Sequence, residues 1–133
     1  MKLGDEISRN IGLLVLRVVA GGMMMTHGYE KLSQLFHGDA SSFPNPIGVG
    51  SVISIILATG AEFFCALLVV LGLFTRFTAV PVIITMFVAI FIVHEGASLA
   101  TRELAILYLA AFTTILLAGP GKYCVDSKIF SKK

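Results

Sequence analysis

Two side chains sit inside apolar runs where an ionisable group does not belong: Arg17 and Glu62. Burying a charge in a membrane-crossing helix costs several kcal/mol, so each marks a function or a partner by default. Arg17 lies about two turns into the first apolar run and Glu62 near the middle of the second. If the first run rises through the membrane and the second descends, the two fall within roughly one or two turns of the same depth. An Arg–carboxylate pair would then relieve both desolvation penalties together. Such a pair reads either as a staple between two helices or as a carboxylate that exchanges a proton or contacts a ligand.

A second polar set gathers at the other ends of the runs. It comprises His27, Glu30 and Lys31 after the first run, His94 and Glu95 after the third, and Arg102 and Glu103 before the fourth. His27 with Lys31, and Glu95 with Glu103, are expected to line the mouth of a cavity leading down to Glu62. Charges at helix ends also belong in the headgroup region without any function. No metal is expected, because no two histidines share the i, i+4 spacing of one helix face. Met23, Met24 and Met25 precede His27, but consecutive helical residues point about 100° apart, so they read as packing rather than a copper site. Cys65 and Cys124 form no CxxC motif, and a lipid-buried thiol is usually inert. No phosphate loop, nucleophile elbow or triad pattern is present.

The elements that must position these residues are four apolar stretches, from about Ile11 to Thr26, Val49 to Phe74, Phe77 to Val93 and Leu104 to Ala118. With flanking residues, helices are expected over 11–26, 49–74, 77–95 and 103–119, followed by a basic tail over 120–133. A helix of about 17–25 residues crosses a hydrocarbon core of about 30 Å, and only helices satisfy the backbone across runs like these. The fold class read from them is all-α: an integral membrane four-helix bundle, antiparallel up-down-up-down, in a single transmembrane domain.

Composition agrees. The 133 residues are 56% hydrophobic and 14% charged, with a mean hydropathy of +0.91. A soluble domain carries about 25% charged residues, so lipid is the solvent for much of this chain. A formal net charge of +2 with scattered basic residues excludes a nucleic-acid partner. The first apolar run lacks a small-residue cleavage site and reads as a retained helix. The loop between runs one and two is rich in Gly, Pro, Ser and Asn, with Glu30 to Phe36 as a candidate short interfacial helix. Gly21 and Gly22 offer a neighbouring helix close approach. Pro81 is placed one turn into the third run, where a missing amide costs least.

Short-loop charges set the orientation. Lys2, Arg9, Arg76, Lys122, Lys128, Lys132 and Lys133 fall on one side, against Lys31 and Arg102 on the other. Both termini are therefore expected in the cytoplasm.

These residues in this order resemble a known family. Arg17 ahead of Gly21-Gly22 and THGYEKL, the run GAEFFCALLVVLGLFTRFTAVPVIITMFVAI, His94 ending helix 3, Glu103 opening helix 4, and the closing GPGKYCVD are similar to the DoxX family of small bacterial membrane proteins. The resemblance touches all four helices. It implies a multi-pass protein of the bacterial cytoplasmic (inner) membrane, associated with redox or sulfur metabolism through thiosulfate:quinone oxidoreduction or thiol oxidative-stress defence. The role implied is a non-catalytic subunit of an oxidoreductase complex, with quinone as the suggested cofactor and a redox enzyme or a second copy as partner within the bilayer. Arg17, His27, Lys31, Glu62, His94, Glu103 and Asp126 match the family's polar positions, and the first six are the candidate ligand or proton site. Two other functions fit the same residues: a small proton-coupled transporter using Glu62, and a membrane scaffold or assembly factor.

Overall fold

The computed structural model describes residues 2–130. Lys132 and Lys133, two of the tail's basic residues, lie outside the described residues. The chain is helical, with no strand among the described residues. Helix α1 spans Leu3–His37, α2 Ser51–Leu71, α3 Thr75–Val93 and α4 Leu99–Ala118, and a short α5 covers Val125–Phe130. The first four are each long and apolar enough to cross a membrane, which implies a lipid bilayer around them.

Helix α1 is much longer than its apolar run. Its 35 residues reach about 52 Å at 1.5 Å per residue, well beyond a hydrocarbon core of about 30 Å. The segment Glu30 to Phe36 is therefore the end of α1 and not a separate interfacial helix. No proline or helix-stopping glycine intervenes before Gly38, where the backbone turns extended.

Small residues set how α1 meets α2. A Cβ on Gly28 would lie 2.5 Å from the backbone of Glu62 and Phe63, and one on Gly21 would meet Val70 and Ala66. Higher numbers on α1 thus meet lower numbers on α2, and this pair runs antiparallel. Gly22, by contrast, faces open space. Around this contact the core gathers Ala20, Met24, Ala66, Val69, Val82, Met86, Tyr108 and Phe112. Met24 is buried in this core while Met23 is exposed, so the neighbouring methionines point to different sides of the helix. Phe77, Leu117 and Phe87 stand on the outer surface, as expected where lipid replaces water.

Two helices depart from α geometry, α2 in its middle and α3 in its last turn. Gly60–Cys65 in α2 and Ala89–Val93 in α3 are π-helical turns, each adding a residue to the turn and rotating the next side chains about the helix axis. Such insertions recur at functional sites. Pro81 is the seventh residue of α3, because that helix starts at Thr75. It therefore sits in the second turn rather than the first, where its missing N–H removes an interior hydrogen bond. The Thr85 hydroxyl donates to the Pro81 carbonyl at 2.8 Å.

Between α2 and α3 the turn is tight. Gly72 takes φ +75° and Phe74 φ +49°, a left-handed conformation that suits glycine and strains phenylalanine. Asp126 holds it: its carboxylate accepts from the Phe74 and Thr75 amides at 2.9 and 3.3 Å, and its own amide donates to Gly72 O at 3.0 Å. The first amides of α3 are thereby capped from the far end of the chain.

Candidate functional site

Arg17 and Glu62 do not pair. The Gly28–Glu62 contact fixes the reason: Arg17 stands 11 residues before Gly28, about 16 Å lower along the helix axis. Arg17 is 1% exposed, and its guanidinium donates to Pro120 O at 2.7 Å, Tyr123 O at 2.9 Å and Val70 O at 3.3 Å. Val70 is in the last turn of α2 and Pro120 follows the end of α4. Helix C-termini present unpaired carbonyls and a partial negative charge, so two helix ends converge on one fixed cation. Nearby, Asn10 Oδ1 accepts from the Lys122 amide at 3.1 Å. The closing GPGKYCVD segment is thus a latch, bound by Arg17 and Asn10 and capping α3 through Asp126.

Glu62 finds its partner on α1 in Lys31. The ammonium lies 2.9 Å from Oε2 and donates to Oε1 at 3.1 Å. The two side chains are 5% and 25% exposed. A carboxylate this buried needs a counter-ion, and Gly28, three residues before Lys31, brings the α2 backbone close enough for the short reach.

The pair stands at the wall of a cavity of about 440 Å³ between α2 and α3. Ala58 and Ala61 line it from α2; Pro81, Ile84, Thr85, Met86 and Val88 line it from α3. His94 closes the end of α3, and Phe43, Pro44, Pro46 and Ile47 of the first loop cover it. That loop is held in shape by Asn45, whose Oδ1 accepts from the Gly50 amide at 2.9 Å. Both π-helical turns border the space, supplying Ala61 and Glu62 from one and Ala89 and Val93 from the other. The lining is overwhelmingly apolar with a few convergent polar groups, the usual make-up of a small-molecule site.

The expected residues therefore divide. Glu62, Lys31 and His94 share the cavity. His27 does not line it; it is half-buried and packs edge-on against Tyr108, with ring centroids 5.8 Å apart. Arg17 belongs to the latch. Glu103, expected at the rim with Glu95, is exposed like it, and neither lines the cavity. Tyr108 escaped the sequence reading: it is 6% exposed and its hydroxyl has no hydrogen-bond partner. The Thr59 hydroxyl is likewise buried and unbonded. A Tyr flanked by apolar residues in a membrane helix could have drawn notice, since buried Tyr hydroxyls usually find partners. Among the described residues, no three His, Cys, Asp or Glu side chains gather as a metal site.

Four membrane-crossing helices enclosing one buried ion pair beside an apolar cavity define a small polytopic membrane protein. Within that class, the chain belongs to the DoxX family, whose model matches residues 12–95. It is also similar to an uncharacterized protein of Haemophilus influenzae, 28% identical over 130 residues that cover 90% of this chain and 92% of the relative. No solved structure matches it.

Proposed function

We propose that this DoxX protein is a membrane subunit of redox or sulfur metabolism that holds a quinone-class molecule in the cavity between α2 and α3. The observation carrying the reading is the buried Lys31–Glu62 pair on an otherwise apolar wall. The space falls within the range of about 300–1,000 Å³ typical of small-molecule sites. A quinone, when bound, would supply two-electron redox chemistry that none of these side chains offers. Lys31 is placed to donate to a head-group carbonyl, and Glu62 to accept from a quinol hydroxyl. The apolar lining excludes water. Neither cysteine lines the space, and the chain on its own reads as a holder rather than a catalyst, working beside a redox enzyme or a second copy.

The surrounding assignments belong to the same proposal: the bacterial inner membrane, an up-down-up-down bundle and both termini in the cytoplasm. The basic residues at the latch end support the orientation. A proton-coupled transporter remains the competing reading, because Glu62 is a buried carboxylate beside a cavity. The Lys31 counter-ion disfavours it for cationic cargo, since the ammonium occupies the place such cargo would take.

The test is gentle purification from native membranes, followed by extraction and quantification of bound quinone and of co-purifying protein. Quinone or a redox enzyme at fixed stoichiometry is expected. A protein that carries neither, yet catalyses proton-driven uptake in liposomes that Glu62→Gln abolishes, would replace this reading with transport.

A further inference from the structure

The cavity does not open toward water alone. Leu57 on α2 and Ile84 on α3 both line it, and they are 54% and 58% exposed on the outer surface. Val93 is similarly shared between lining and surface. In a membrane-crossing bundle that surface meets lipid, so the lining of the cavity reaches the bilayer-facing side of α2 and α3. Pro81, which also lines the cavity, removes a backbone bond from α3, and both π-helical turns border the space. On the cavity wall lie a carboxylate and an ammonium in contact, a pair with no net charge.

From this geometry we infer that the site takes an uncharged amphiphile directly from the bilayer, past Leu57 and Ile84, and selects it by the neutrality of its head. A guest carrying a net charge must share the pocket with an ion pair already satisfied, and it leaves its own charge desolvated and unpaired. A neutral head with an acceptor and a donor meets both ends of the pair: the ammonium has donors beyond those turned to Glu62, and the carboxylate, which lines the cavity, has lone pairs beyond those turned to Lys31. The apolar remainder stays between α2 and α3 and never crosses water. The inference rests on the cavity being a ligand site, as proposed above, but not on the ligand being a quinone.

The chain contains no tryptophan, so Val88→Trp places a single reporter on the cavity wall; Val93→Trp serves if that variant does not accumulate. In liposomes, three ω-brominated quenchers with the same chain are compared at equal mole fraction in the bilayer: an alcohol, a carboxylate and a trimethylammonium. The alcohol is expected to quench saturably, with the two ions weaker by about tenfold or more. Added to the reporter, Lys31→Met should shift the preference toward the cation, and Glu62→Gln toward the anion. Saturable quenching that is equal for all three heads, or unmoved by the two substitutions, would overturn the head-group selection while leaving the cavity a ligand site. Quenching that rises linearly for every head would overturn the cavity as a site as well.

Discussion

If Glu62 is held by Lys31 and not by Arg17, a double-mutant cycle must find the coupling in one pair and not in the other. The contact at 2.9 Å has a Coulomb attraction of about 6 kcal/mol at an effective dielectric constant of about 20. Desolvation offsets most of that, so the pair's net worth is small, but removing one member is costly. Lys31→Met leaves a 4% exposed carboxylate alone and should destabilise by about 3–5 kcal/mol. Glu62→Gln leaves an ammonium that can reach toward water along its flexible stem, and should cost about 1–3 kcal/mol. The double variant carries no charge to strand and should lie closer to wild type than Lys31→Met does, giving a coupling of about 2–4 kcal/mol. Arg17→Met combined with Glu62→Gln should instead be additive within about 0.5 kcal/mol, as expected of sites without shared partners. Reversible unfolding in mixed micelles by titrated SDS, followed by circular dichroism, reads all of these. A 17–62 coupling larger than the 31–62 coupling would refute the register of α1 on α2.

Other consequences arise from the same contacts. Gly28→Ala places a Cβ 2.5 Å from the α2 backbone and should cost about 1–3 kcal/mol, whereas Gly22→Ala, facing open space, should be neutral or stabilising by up to about 1 kcal/mol; the same unfolding assay compares them. Arg17→Lys keeps the charge but cannot fork to three carbonyls, so it should cost about 2 kcal/mol and make the segment after Gly119 more susceptible to limited proteolysis. Asp126→Ala uncaps α3 and should destabilise by about 0.5–2 kcal/mol, seen as a lower melting temperature in detergent.

Much of this was legible from residue types. Runs of apolar residues long enough to cross a bilayer announced the four helices, and the cost of a buried charge singled out Arg17 and Glu62 before any contact was known. What failed was the pairing between them. Depth counted from the ends of each run assumed that helix 1 ended near Thr26, but it continues to His37. The crossing register is then set by Gly21 and Gly28 against α2, and a glycine gives no sign of which backbone it will meet. For the same reason the sequence places Lys31 at the mouth of a cavity leading to Glu62 rather than in contact with it. The π-helical turns at Glu62 and Ala89 carry no residue signature, because they arise from how the turn packs rather than from what it contains. The latch was visible only as a terminal motif: Asp126 and the GPG turn gave no hint that their partners lie more than fifty residues away, at Phe74 and Arg17.

The central claim is that the space between α2 and α3, walled by Lys31 and Glu62, holds a small amphiphile. Native mass spectrometry of the protein released from membranes tests it most directly, with wild type measured beside Ala58→Phe, which fills the cavity from α2. Wild type should carry a non-protein adduct at fixed stoichiometry, and Ala58→Phe should lose it while remaining folded. A bare wild-type protein, or the same adduct retained by folded Ala58→Phe, would contradict the account.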